Sequence, residues 1–161
     1  MNNKILAATD QALRQVGESR FWRTERGFHG RFYCALQKVL DEEGLLPRGR
    51  ILEMEYQKSA RHGISQRPDI VLHMPVEKSG ASETEHNFAV WALKRQATPE
   101  EAKKDFDKLD EMFQRLCYPL GVFVNIDPKG HAVFPYCGKF SDQLYMVAAW
   151  LEGMAVETFW R

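Results

Sequence analysis

The chain has 161 residues, 44% of them hydrophobic and 27% charged, which is ordinary for a soluble globular protein and leads us to expect one domain over 1–161. No apolar run is long enough to span a membrane, and the opening Asn2-Asn3-Lys4 lacks the apolar core of a signal peptide, so a cytoplasmic protein with no membrane partner is expected. Acidic and basic residues balance to a net charge of zero; without an overall field, any polyanion contact must come from a local patch.

In chain order, residues 3–17 read as a helix with Ile5, Ala8, Ala12, Leu13 and Val16 on one side, stopped near Gly17. After an arginine-rich connector, a second helix is expected over 24–43, with Phe28, Phe32, Ala35, Leu36, Val39 and Leu40 at helical spacing. Gly44 and Pro47 end it. Three strands follow, over 51–58, 68–74 and 87–95. The first alternates Leu52, Met54 and Tyr56 against Glu53, Glu55 and Gln57. The third places Phe88, Val90, Ala92 and Lys94 on one face and Ala89, Trp91 and Leu93 on the other. Between the last two lies a hydrophilic loop, 77–83. Thr98, Pro99 and Glu101 spell the start of another helix, whose buried stripe is Ala102, Phe106, Leu109, Phe113 and Leu116. An apolar strand over 120–126, a turn at 127–130, an edge strand over 131–137 and a closing helix over 141–157 complete the reading. This order predicts an α/β fold with a mixed central sheet flanked by helices.

Two of these strands carry polar residues that an ordinary core strand avoids. Pro68-Asp69 opens the run Ile70-Val71-Leu72, and Lys94 ends a run that otherwise reads as core, followed by Arg95 and Gln96. A lysine there needs a partner, and an aspartate on a neighbouring strand is the simplest one. The arrangement resembles the PD-(D/E)XK nuclease superfamily, with Pro68-Asp69 as the first half of the signature and Lys94-Arg95-Gln96 as its Lys-x-Gln ending. The acid two residues before the lysine is replaced by Ala92. The resemblance covers about residues 24–126 and implies an αβββαβ restriction-endonuclease-like core, with the N- and C-terminal helices added to it.

Phosphodiester hydrolysis requires charge neutralisation at phosphate and a hydroxide near neutral pH. A divalent ion supplies both, lowering the pKa of bound water from about 15.7 toward roughly 7. The resemblance implies Mg²⁺, with Mn²⁺ as substitute, held by Asp69, with Lys94 as catalytic lysine and Gln96 orienting substrate. Glu25 on the first core helix and Glu55 on the first strand are the further metal-ligand candidates. Arg61, His62 and Arg67 flank the site and are the candidates for phosphate contacts with DNA. Without an acid at Ala92 the ion is expected to bind weakly, and the chain as written to cleave little.

Each residue also has a plainer reading. Asp69 suits a strand entry, Lys94 an exposed strand end, Glu25 an ordinary helix start, and Glu53 and Glu55 an outer sheet face. Their joint occurrence favours a DNA endonuclease inactivated at its second acid, of a kind that serves restriction, defence, repair or transposition. The alternatives are a natural pseudo-nuclease that binds nucleic acid or a protein, and an α/β assembly module in which Asp69 and Lys94 form a structural ion pair. Cys34, Cys117 and Cys137 show no paired spacing and read as reduced thiols; the five histidines show no zinc spacing. Mixed charges on the helix after Pro99 favour a solvated face over a DNA track. Trp150 and Trp160, on the closing helix, are candidates for a homodimer or partner surface.

Overall fold

β3 (Asn87–Arg95) runs through the middle of the molecule and is buried over most of its length. The computed structural model describes residues 1–47, 49–54, 68–75 and 86–161. Their strands form one six-stranded sheet in sequence order: β1 (Ile51–Met54), β2 (Ile70–His73), β3, β4 (Gly121–Ile126), β5 (Leu144–Glu152) and β6 (Ala155–Trp160). β1, β2 and β3 form an antiparallel meander, β3, β4 and β5 are parallel, and β6 returns antiparallel to β5. The predicted mixed sheet flanked by helices is therefore the architecture observed.

Two cores lie on opposite faces of this sheet. α1 (Asn2–Arg14) and α2 (Glu25–Glu42) cover one face, where Phe28, Phe32 and Leu36 meet Ile70, Trp91, Leu93 and Val124. α3 (Pro99–Leu116) covers the other, where Phe106, Leu109 and Phe113 meet Val71, Val90, Ala92 and Phe123. The central strands thus read as continuous apolar runs because both of their faces are buried. Phe113 packs so closely on the start of β4 that a Cβ at Gly121 would collide with its ring.

Phe88 departs from the expected alternation. The β2–β3 register shifts between Leu72 and His73, which lie opposite Ala89 and Asn87, so Phe88 is an extra residue in its strand. It joins Ala89 in the α1/α2 core, under the Arg50 guanidinium at 3.7 Å from the ring centroid.

The last quarter of the chain corrects the sequence reading. Residues 132–138 form no strand; they follow a short 3-10 turn (Lys129–His131), and Asn125 Nδ2 donates to the Ala132 carbonyl at 3.1 Å. The closing helix expected over 141–157 is instead the hairpin β5–β6. Its two-residue turn has Gly153 at φ 63°, the residue type that a type II′ hairpin turn asks for first. An apolar run that fits a buried helix fits a strand buried on both faces equally well, and β5 is such a strand. α1 also ends earlier than expected, at Arg14, although Val16 stays buried.

Candidate functional site

Asp69 stands immediately before β2, after the buried Pro68. The β2–β3 ladder ends at the pair Ile70–Trp91, and the Asp69 side chain extends it: Oδ2 accepts the Leu93 N–H at 2.7 Å. Burial pushes the Asp69 carboxyl above its ordinary pKa. The Leu93 N–H, His29 and Lys108 oppose that rise, and the negative charge of Asp105 adds to it.

Glu25 opens α2, whose N-cap Thr24 accepts the Gly27 N–H at 3.1 Å. A carboxylate in the first helical turn is stabilised by the exposed N–H groups there. This one reaches across to the end of β3, where Oε2 accepts the Arg95 N–H at 3.0 Å and lies 3.7 Å from Lys94 Nζ. The lysine's ion-pair partner is therefore Glu25, where the sequence pointed to an aspartate. Glu25 and Asp69 line the same open cleft of about 530 Å³, together with Arg26, His29, Gly30 and Met54.

Ala92 sits next to this cleft but faces α3. Its methyl group borders a gap of about 10 Å³ shared with Asp69, Asp105, Lys108, Leu109 and Met112, roughly the room of a single water. Asp105 is 8% exposed, and Lys108 pairs with it at 2.7 Å. Gln96 is not among the residues that line the cleft: at φ 51° its Nε2 donates to Asp127 Oδ2 at 2.9 Å. The same oxygen accepts from Arg95 at 2.8 Å, and Arg95 Nε donates to the Trp22 carbonyl at 2.8 Å.

Of the sequence-derived residues, Glu25 and Asp69 thus share a cleft, Lys94 pairs with Glu25, and Ala92 shares the smaller gap with Asp69. Glu55, Arg61, His62 and Arg67 lie outside the described residues. Sequence reasoning passed over His29, Asp105, Lys108 and Asp127. His29 falls one turn after Glu25 on α2, so helical spacing alone put it on the same face. Its Nε2 is buried without a hydrogen-bond partner among the described residues. Asp105 stands one position before the stripe residue Phe106, among charges that read as a solvated face. Asp127 read only as a turn former.

No protein-family model and no curated protein matches this sequence. Among solved structures, the cAAA-bound form of NucC from P. aeruginosa ATCC27853 superposes with a TM-score of 0.53. The match covers 99% of this chain and 82% of NucC at 11% sequence identity. The chain is therefore similar to NucC in fold. At this identity the likeness extends to the fold alone.

Within this NucC-like fold the described side chains do not fit a divalent ion. No group of three or more His, Cys, Asp and Glu side chains among the described residues is placed to hold one. Glu25 is occupied by the Arg95 N–H and the Lys94 ammonium, one oxygen of Asp69 is occupied by the Leu93 N–H, and position 92 offers a methyl group. A hard cation such as Mg²⁺ wants several oxygen ligands at short range. Among the described residues, too, no helix is long and apolar enough to cross a membrane.

Proposed function

We propose that this chain is a DNA endonuclease domain of the PD-(D/E)XK type, disabled by alanine at its second acidic position. The observation that carries the reading is that Asp69 and Glu25 line one cleft, with Lys94 paired to Glu25 and Ala92 beside Asp69, in a fold similar to that of NucC. Asp69 accepts from Leu93 and Glu25 from Arg95, so two carboxylates from different elements are fixed to the stretch of β3 that carries Lys94, which supports a preorganised site. Lys94 would stabilise charge developing on the phosphate, and Glu25 holds its ammonium at the cleft edge. A divalent ion would supply the hydroxide, and the missing carboxylate at Ala92 leaves that ion without enough ligands.

Cleavage of plasmid and linear DNA with Mg²⁺ and with Mn²⁺ tests this directly, comparing the chain with Ala92→Glu. The gap at Ala92 is small and already borders Asp105, so a glutamate must push Lys108 outward, which its 39% exposed side chain permits. Ala92→Glu is therefore assayed alone and combined with Asp105→Asn, which removes the added repulsion. Cleavage is expected only with the glutamate, and Lys94→Ala in that background should reduce it on the order of 10²- to 10³-fold. Asp69→Ala should reduce it further. DNA binding without cleavage in every folded form would instead support a non-catalytic binding module.

A further inference from the structure

β6 is the outer strand of the sheet, and its bonding pattern shows which groups it leaves open. Met146 and Arg161 exchange both backbone bonds, at 3.0 and 2.9 Å, so Arg161, Phe159 and Glu157 point their backbone groups at β5. Val156, Thr158 and Trp160 therefore point theirs away from the sheet. The Val156 carbonyl is capped by Arg14 at 3.2 Å, which confirms the outward direction. Among the described residues, nothing pairs with the backbone of Thr158 or Trp160. Asp10 on α1 holds the Thr158 hydroxyl at 2.7 Å and the Trp160 indole N–H at 2.8 Å. Both side chains are thus fixed on the α1 face, and the bare backbone edge is presented in a set conformation. On the opposite face Phe159 is 56% exposed. An open edge carrying an exposed aromatic residue is what a soluble protein covers with another strand.

We infer that β6 pairs antiparallel with β6 of a second copy of this chain, with the two-fold axis at Phe159. The register follows from the edge itself. Centring on Glu157 would set two glutamates face to face and needs the Val156 carbonyl that Arg14 occupies. Centring on Thr158 also needs Val156 and puts Glu157 against the partner's Phe159. Centring on Phe159 uses only the open groups: Thr158 exchanges both backbone bonds with Trp160 of the partner subunit, and Trp160 with the partner's Thr158. Phe159 then lies against the partner's Phe159 in a non-hydrogen-bonded pair, the closer kind, with Cα atoms about 4.5 Å apart. Glu157 lies against the partner's Arg161, an opposite-charge pair on the same face. Shape, charge and unmade hydrogen bonds therefore select one self-complementary occupant.

Sedimentation of the full chain over a range of concentrations tests the pairing, with hydrogen exchange read at Thr158 and Trp160. A reversible dimer is expected, with both amides protected only at high concentration. Phe159→Lys places two ammonium groups on the axis and should raise the dimer dissociation constant roughly tenfold or more. Because Phe159 is exposed, the monomer should keep its fold, checked by far-UV circular dichroism. Arg161→Glu should weaken the dimer, and adding Glu157→Arg should restore it. A chain that stays monomeric at all concentrations overturns the inference. So does a dimer that Phe159→Lys leaves intact, or one in which the charge swap fails to rescue Arg161→Glu.

Discussion

Asp69 is held where it would rather be neutral. Its position follows from one local rule: the ladder stops at Ile70, and the next N–H of β3 still needs an acceptor. The cost is electrostatic, because burial and the nearby Asp105 both disfavour the carboxylate. An acid whose pKa rises on folding stabilises the native state while protonated. That contribution is present below its ordinary value of 3.8 and is lost as pH rises through the folded value. Asp69→Asn keeps an oxygen for the Leu93 N–H and cannot ionise. It should therefore melt above the parent near neutral pH, with the difference shrinking as pH falls toward 3.8. Thermal melts of both proteins across that range check the sign; a variant less stable at neutral pH would show that the carboxylate is favoured. A residue kept at a cost to stability is in keeping with the site proposed for Asp69, to which the Pro-Asp signature pointed in the sequence. Gln96 was legible as part of a motif, but its left-handed backbone, which aims it at Asp127, was not.

Among the elements, α3 was the most legible because its start is written in local chemistry. The Thr98 hydroxyl accepts the Glu101 N–H at 3.2 Å, and the Glu101 carboxylate accepts the Thr98 N–H at 2.9 Å. Thr98→Ala removes the first of these and should cost roughly 1 kcal/mol, measured as a shift of the denaturation midpoint at unchanged slope. An unchanged midpoint would mean that Pro99 and packing suffice to start the helix. β5 and β6 were illegible for the opposite reason. Residues 144–151 are so uniformly apolar that neither period is visible, and only Gly153 distinguishes a hairpin turn from a helix interior. A glycine inside a helix costs about 1 kcal/mol, so its presence at the end of such a run favours the turn. Local caps are readable in one sequence; burial on both faces, which comes from neighbours distant in sequence, is not.

At the scale of the whole molecule, one sheet separates two cores but does not insulate them. β3 and β4 send alternate residues into each: Trp91, Leu93 and Val124 toward α1 and α2, Val90, Ala92 and Phe123 toward α3. Neither core can lose its packing without exposing the backs of strands that the other requires. Unfolding should therefore be one cooperative transition rather than two. Leu93→Ala probes the first core and should cost about 2–5 kcal/mol; Phe123→Ala probes the second and should cost about 3–5 kcal/mol. Each should move a single denaturation curve, followed both by tryptophan fluorescence, which includes Trp91 in the first core, and by far-UV circular dichroism. The two signals should stay coincident in both variants. A fluorescence transition that shifts with Leu93→Ala but stays put with Phe123→Ala would mean that the α3 face melts independently. The same coupling bears on the candidate site, since Asp69 borders both the open cleft beside α2 and the gap beneath α3. If the cores melt together, Phe123→Ala should lower the temperature at which the cleft is lost along with the α3 face, without touching the cleft itself.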